Sequence, residues 1–241
     1  MITPEILVLC WTAAAIAFVH TLLGPDHYLP FVALAKSRGW SPVKTLRMTL
    51  LCGSGHIVGS VLLGIIGIYA SIQLGALEWV EGWRGELAAW ALLSFGLVYM
   101  AWGLRRAHRN KPHIHWHSHG GERHAHVHTH HGDHAHVHSA GDAAGKQRSP
   151  AAWAIFIVFV LGPCEPLIPL LMFPAAKESV AGLAAVTGVF ALVTVLTMLA
   201  AVMIAVWGLR AVRLPAMERF SDAIAGGTIA LCGLSIAVLG L

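Results

Sequence analysis

The chain has 241 residues, of which 56% are hydrophobic and 12% are charged, and its mean hydropathy is +0.68. Soluble domains carry about 25% charged residues, so this composition excludes an ordinary soluble domain and predicts an integral membrane protein. The length suits about six helical spans of roughly 20 residues and one long loop. The formal net charge of +4 does not indicate nucleic-acid binding, because the basic residues lie in loops beside apolar segments.

Hydropathy predicts an all-α integral membrane fold of six transmembrane helices. Residues 1–104 form a first three-span repeat, residues 105–150 a connecting loop, and residues 151–241 a second three-span repeat. The expected spans are Ile6–Leu23 with a continuation to Ala35, Met48–Ala70, Gly85–Leu104, Ala151–Phe173, Val180–Leu209 and Ala223–Leu241.

The stretch His20–His27, HTLLGPDH, places three ionisable side chains inside the first span. Such a side chain costs roughly 2.5–3.5 kcal/mol on insertion scales and usually marks a functional site. In an unbroken helix His20 and His27 would lie about 10 Å apart, too far for one ion. Gly24-Pro25 breaks the helix between them, which could bring both histidines together with Asp26 beside them.

A related motif opens the second half of the chain. Residues Gly162–Glu165 (GPCE) align without a gap with Gly24–His27 (GPDH), and each copy lies in the first span of its half. Halves of three spans insert with opposite orientations, as in secondary transporters whose sites form where broken helices meet near the bilayer midplane. We therefore predict a 3+3 inverted repeat, with broken helices at two Gly-Pro sites and with Cys164 and Glu165 facing the first cluster.

His56, in the second span, is the expected additional ligand because the glycines around it permit close helix approach. Imidazole together with carboxylate suits first-row divalent ions such as Ni²⁺, Co²⁺ and Zn²⁺. Cys164 and Glu165 could complete the site or relay protons; a protonated Glu165 bonded to the backbone is the structural alternative. The intramembrane candidates are therefore His20, Asp26, His27, His56, Cys164 and Glu165.

The connecting loop contains twelve histidines that mostly alternate with small or apolar residues. Such a tract cannot bury a core and should be disordered without a ligand, and its composition is typical of metal binding. Neutral imidazoles bind Ni²⁺, Cu²⁺, Zn²⁺ and Co²⁺ and lose affinity on protonation. The candidate ligands are His113, His115, His117, His119, His124, His126, His128, His130, His131, His134, His136 and His138.

The distribution of Lys and Arg predicts the orientation. With six spans, loops one, three and five share a face, and they hold fourteen of the sixteen basic residues. Without the long third loop the split is still seven against two. The positive-inside rule then places the His-rich loop in the cytoplasm and both termini outside, in the inner membrane.

At HTLLGPDH the sequence resembles the HupE/UreJ-type nickel permeases, whose signature is a histidine, five residues and Asp-His. It is also similar to the broader nickel/cobalt transporter group, which has a later Gly-His, here Gly55-His56, and whose exporters have a His-rich cytoplasmic loop. Over both hydrophobic halves it resembles the UreH-like and TauE-like six-span membrane proteins. These resemblances imply that His20, Asp26, His27 and His56 bind the metal.

GPCEPLIP, in the second half, resembles the Pro-Cys motif of the CcdA/DsbD-type membrane thiol relays. Such relays need a cysteine in each half, and the matching first-half position here is Asp26. The resemblance implies six spans in inverted halves, and the cysteine it lacks argues against a relay.

We expect a secondary transporter of a divalent transition metal, nickel or cobalt with zinc as an alternative, and not an enzyme. No GxxxxGK[ST] motif occurs, which argues against direct ATP hydrolysis. The expected partners are the metal substrate and the lipid bilayer, with no nucleic acid. Two rival classes stay open: a thiol–disulfide relay that pairs Cys164 with Cys52, and an anion exporter whose histidines carry protons.

Overall fold

The computed structural model of the chain describes residues 3–70, 74–109, 113–119, 122–128, 150–162, 164, 166–176, 179–211 and 218–239. Their membrane part is entirely helical. The helices are α1 (Pro4–Leu23), a 3₁₀ turn (Pro25–His27), α2 (Leu29–Ser37), α3 (Pro42–Tyr69), α4 (Leu74–His108), α5 (Pro150–Leu161), α6 (Leu167–Ala176), α7 (Val180–Ala211) and α8 (Ser221–Leu239).

Five of these helices, α1, α3, α4, α7 and α8, are long and apolar enough to cross a membrane. α5 and α6 have 12 and 10 residues, and neither alone reaches the roughly 30 Å of a hydrocarbon core. Large apolar side chains on the long helices are exposed, as a lipid-facing surface requires.

Local sequence explains where α1 and α3 begin. The Ser41 hydroxyl accepts the Lys44 N–H at 3.2 Å, and Pro42 occupies the first helical position, where no N–H is needed. Thr3 and Pro4 play the same parts for α1. Both helices therefore start at a side-chain cap followed by proline.

The first broken segment, α1, the 3₁₀ turn and α2, runs alongside α7 in the same direction. Ile6 packs against Gly182 near the start of α7. At the other end, the Lys36 Nζ donates a 3.0 Å hydrogen bond to the Leu209 carbonyl. The two helices and the turn together therefore match the length of one long helix.

The second broken segment, α5 and α6, runs alongside α3, again in the same direction. Gly55 of α3 lies against Val160 at the end of α5, and Gly64 lies against Leu171 in α6. Each broken segment therefore packs in parallel with the middle helix of the other half.

The last helices of the two halves, α4 and α8, pack closely and antiparallel. Gly96 lies against the backbone of Ala230, and Gly103 lies against the backbone of Ala223. Any side chain at these glycines would collide with main-chain atoms of the partner helix, so glycine permits the close approach.

Two buried clusters surround the broken segments. The first includes Phe31 of α2, Met198 of α7 and Ile229 of α8. The second contains Cys164 and Leu167 at the start of the α6 segment, together with residues of α1 and α7. Both helix breaks therefore lie in the protein interior, where the backbone freed by a break must find protein partners.

The loop between the halves contains an antiparallel hairpin of strands β1 (His113–His119) and β2 (Glu122–His128), with His115 opposite His126. The prediction that the tract is disordered without a ligand stays a prediction. Residues 129–149 lie outside the described residues.

Several element boundaries differ from the hydropathy prediction. α3 begins at Pro42, six residues before the expected span, and α4 covers Leu74–His108, whereas we predicted a loop over residues 71–84. Hydropathy marks the part of a helix in hydrocarbon, whereas capping and internal hydrogen bonds carry the helix into the interface. The predicted fourth span is divided between α5 and α6.

Candidate metal site

The first helix break is built by Gly24 and Pro25. α1 ends where the Gly24 N–H donates to the His20 carbonyl at 2.9 Å, which leaves His20 on the last turn of the helix. Pro25 has no N–H to continue the ladder, and a 3₁₀ turn follows in which the His27 N–H donates to the Gly24 carbonyl at 3.1 Å. The tighter turn brings the His27 ring back toward His20.

Gly24 is required here by space rather than by backbone conformation. Its φ of −82° suits any residue, but a Cβ would collide with the His27 ring and lie 2.9 Å from the Asp26 Oδ1. The absent side chain therefore makes room for the imidazole.

His56 reaches the same place from the middle of α3. Its Nδ1 lies 3.3 Å from the Phe159 carbonyl near the end of α5, and the position of a Cβ on Gly162 would lie 3.3 Å from the same nitrogen. His56 thus joins the first break to the second, since its ring contacts both.

The structure brings His20, His27 and His56 into one group. One nitrogen from each lies within 4.8 Å of the others. The His20 and His27 ring centroids are 4.9 Å apart, and those of His27 and His56 are 5.3 Å apart. His27 and His56 are only 3% and 4% exposed. Three imidazoles therefore converge inside the bundle with His27 in the middle.

The hydrogen-bond partners assign the tautomers of two of these rings. The Nδ1 of His27 lies 3.2 Å from the Gly24 carbonyl, and the Nδ1 of His56 faces the Phe159 carbonyl. A carbonyl oxygen only accepts, so Nδ1 carries a hydrogen in each ring, and in the neutral form of the ring Nε2 carries the lone pair.

Three buried ring nitrogens of this cluster have no hydrogen-bond partner in the described part of the chain: the Nε2 atoms of His20, His27 and His56. An unsatisfied buried polar atom costs about 1–3 kcal/mol, so three together need an explanation. A divalent cation is a partner that can accept the lone pairs of all three nitrogens at once.

Asp26 lies at the edge of the group. Its Oδ1 is 3.2 Å from the His27 Nδ1, and its side chain is 22% exposed. A carboxylate on the Nδ1 side of a ligating histidine is the usual arrangement at metal sites, where it orients the ring and makes Nε2 more basic. Asp26 is therefore placed beside the three nitrogens, in an orienting position.

The three histidine nitrogens are almost as close together as the ligands of a single metal ion. Two nitrogens bound to one ion at about 2.1 Å are no more than about 4.2 Å apart. Small side-chain rotations suffice to bring nitrogens within 4.8 Å to that distance. The arrangement can thus take up a divalent ion with three neutral imidazoles and a neighbouring carboxylate.

The second break does not join this group. Cys164 is fully buried, and its N–H donates to the Ser60 hydroxyl and to the Glu81 Oε2, both at 3.1 Å. It is not among the residues whose ligand atoms converge. Glu165 lies outside the described residues, so its predicted role stays a prediction.

Glu81 was not among the predicted site residues, because we predicted no span over residues 71–84. It is fully buried within α4, so a buried carboxylate lies outside the predicted spans. The sequence feature that could have indicated a helix here is the pair of opposite charges Glu81 and Arg84, three residues apart.

For the His-rich tract, the structure gives the backbone of seven candidates in the hairpin, His113 to His119 and His124 to His128. His130, His131, His134, His136 and His138 lie outside the described residues. Metal binding by the tract stays a prediction.

None of the four cysteines is in a disulfide. Cys52 belongs to the first buried cluster and Cys164 to the second.

Comparison of the chain with protein-family models, with curated proteins and with solved structures gave no match.

Proposed function

We propose that this chain is a secondary transporter of a divalent transition-metal cation, with nickel or cobalt as substrate and zinc as the alternative. His20, His27 and His56 bind the ion, and Asp26 orients His27 and supplies negative charge. The observation that carries this proposal is the convergence of one nitrogen from each of His20, His27 and His56, whose buried Nε2 atoms have no hydrogen-bond partner among the described residues. Imidazole ligation suits Ni²⁺, Co²⁺ and Zn²⁺.

The proposal includes six membrane crossings in two inverted halves. α5 and α6 together supply the crossing that neither supplies alone. The packing supports this, because α1–α2 pairs with α7 just as α5–α6 pairs with α3, both in parallel. The antiparallel α4 and α8 pair is the third element of each half, and it lies on the proposed axis. A metal site at the first break then sits where transporters place their substrates.

A polar stripe on α3 supports transport rather than storage. Thr45, Thr49, His56 and Ser60 are all buried, and their spacings of four, seven and four residues place them on one helix face. The Thr49 hydroxyl has no hydrogen-bond partner among the residues that the structure describes. The stripe leads from the start of α3 to the histidine cluster, so it offers an ion oxygen ligands on the way.

The orientation belongs to the same proposal. The ends of α2 and α7 meet through Lys36 and Leu209, and Arg38, at the end of α2, donates to Tyr99 of α4, which donates to Asp222 at the start of α8. The basic loops therefore leave the bundle on one side, which supports a cytoplasmic face carrying the His-rich tract in the inner membrane. There the tract binds metal ions as they arrive or depart.

Metal uptake into proteoliposomes tests the proposal. Full-length protein should move Ni²⁺ or Co²⁺ across the bilayer, and His56→Ala should stop it while the protein still inserts. Removal of residues 113–138 should lower the number of ions bound per chain and leave part of the transport. Equal uptake by the parent and His56→Ala would contradict the proposed site.

A further inference from the structure

The second helix break is held by an ion pair inside the membrane-spanning helices. Glu81 and Arg84, one turn apart on α4, contact each other through Glu81 Oε1 and Arg84 Nη1. Glu81 is fully buried, and the Arg84 side chain is 15% exposed. A buried ion pair is weak support for stability as such, because desolvation offsets much of the attraction, so its position needs another reason.

The Arg84 and Glu81 side chains form hydrogen bonds with backbone groups on opposite sides of the break. Arg84 Nη2 donates to the carbonyls of Val160 and Gly162, at 3.2 and 3.3 Å, where α5 ends. Glu81 Oε2 accepts the Cys164 N–H at 3.1 Å, just before α6 begins. The cation thus meets the carbonyls at a helix C-terminus and the anion meets an N–H near a helix N-terminus, and both arrangements are favourable.

The backbone that Arg84 holds at the end of α5 also lies against the histidine cluster. The Phe159 carbonyl, which faces the His56 Nδ1, belongs to the residue immediately before Val160. Gly162, whose carbonyl accepts a hydrogen bond from Arg84, lies next to that ring, since a Cβ added to it would be 3.3 Å from the His56 Nδ1. Ser60, one turn after His56 on α3, donates to Glu81 at 3.4 Å. The ion pair is therefore connected to His56 through the α5 backbone and through α3.

From these contacts we propose that Glu81 and Arg84 are positioning residues for the metal site. By fixing the end of α5, they keep the Phe159 carbonyl on the His56 Nδ1 and so keep Nε2 turned to the ion. This inference rests on the proposed function, and it adds a role for two residues that do not themselves touch the metal. Outer partners of this kind typically change metal affinity by about 10–100-fold.

Co²⁺ binding to purified full-length protein tests the inference. All variants carry Gln at the twelve tract histidines, so that the visible d–d absorption of Co²⁺ reports the helical site alone. Glu81→Gln and Arg84→Gln should weaken Co²⁺ binding about 10–100-fold and alter the absorption, whereas Arg84→Lys should restore part of the affinity. Glu78→Gln, an exposed charge on the same helix, is the matched control and should bind like the parent.

A second measurement separates positioning from general stability. The melting temperature of each variant is recorded with and without Co²⁺. A purely structural role lowers the melting temperature without Co²⁺ and leaves the Co²⁺-induced shift unchanged, which would overturn the inference. A positioning role reduces the shift itself. If Glu81→Gln fails to accumulate, Ser60→Ala, which removes one of two acceptors of the Cys164 N–H, should reduce the shift to a smaller degree, and an unchanged shift there would overturn it too.

The same series distinguishes this inference from the proposed function. If His56→Ala binds Co²⁺ as tightly as the parent does, the proposed metal site is wrong, and so is the positioning role that depends on it. If His56→Ala abolishes binding while Glu81→Gln and Arg84→Gln keep the parent's affinity and spectrum, the metal site stands and only the positioning role is wrong.

Discussion

The two helix breaks share a Gly-Pro sequence, but the polar groups at each break have different hydrogen-bond partners. At the first break, Gly24 leaves room for the His27 ring, and the buried Nε2 atoms of the three histidines have no hydrogen-bond partner within the described part of the chain. At the second, the Val160 and Gly162 carbonyls and the Cys164 N–H are all bonded to side chains of α3 and α4. The first break leaves side-chain nitrogens that could bind a metal ion, whereas the backbone groups at the second break are hydrogen-bonded to protein side chains.

The difference follows from the residues after each proline. Asp26 and His27 carry side chains that bind cations, and the turn between α1 and α2 satisfies its own backbone with the Gly24 carbonyl. At the second break the backbone bonds come from Ser60, Glu81 and Arg84 instead. In the proposed inverted repeat, the first copy would therefore bind the metal ion and the second would hold the neighbouring backbone in place. Four substitutions test this division, in order of expected effect.

Replacing the central histidine should have the largest effect. His27→Ala removes the ring that contacts both His20 and His56 and leaves the other nitrogens buried. Since loss of an outer partner alone costs about 10–100-fold, loss of this ligand should weaken Ni²⁺ or Co²⁺ binding by more than about 100-fold. Calorimetric titration and proteoliposome uptake measure it. His108→Ala, an exposed histidine at the end of α4, is the control; parent-like binding by His27→Ala would refute the site.

Filling the space at the first break should come next. In Gly24→Ala the new methyl group collides with the His27 ring, so the ring must move away from its neighbours. Metal affinity should fall toward the upper end of the 10–100-fold range that follows loss of an orienting partner. Gly188→Ala, which meets nothing within 4 Å on α7, is the matched control. Unchanged binding by Gly24→Ala would mean that the His27 position does not matter.

Asp26→Asn separates charge from shape. The amide keeps the volume but removes the negative charge beside the His27 Nδ1, so His27 becomes a weaker ligand. We expect affinity to fall toward the lower end of the 10–100-fold range, with the number of bound ions unchanged at saturation. Titration at increasing Co²⁺ concentration measures both quantities. A loss of stoichiometry instead would show that Asp26 ligates the ion directly.

Cys164→Ser should have the smallest effect. The bonds of Cys164 to Ser60 and Glu81 use its backbone N–H, and these bonds survive a change of side chain. Metal affinity should stay within about twofold of the parent, as for substitutions away from a site. Uptake that disappears in Cys164→Ser while the protein still reaches the membrane would revive the thiol-relay reading.

The first break could be predicted from sequence because its chemistry is local. His20, Asp26 and His27 lie within eight residues around a Gly-Pro pair, and an ionisable group in an apolar run stands out. His56 could also be predicted, since it is a lone histidine among glycines in a long apolar span. The sequence also predicted Asp26 beside these histidines, but not that its carboxylate faces the His27 Nδ1, because that depends on how the 3₁₀ turn directs each side chain.

The hydrogen bonds of Glu81 and Arg84 to the second break could not be predicted from sequence. Glu81 and Arg84 follow Trp79 in a segment of mixed polarity, which hydropathy interprets as a loop. Their role depends on α4 packing beside the end of α5, a contact between residues almost eighty positions apart. The alignment of GPDH with GPCE indicated where the chain would break, but the different completion of the two breaks arises from neighbouring helices.

X-ray absorption of the bound metal shows whether His20, His27 and His56 bind one ion together. Full-length protein with Gln at the twelve tract histidines is loaded with Ni²⁺ or Co²⁺, and its spectrum is compared with that of the same protein carrying His56→Ala. The account predicts one ion per parent chain with scattering from three imidazoles, and loss of one imidazole or of the ion in the variant. Identical spectra and metal content in both proteins would contradict it.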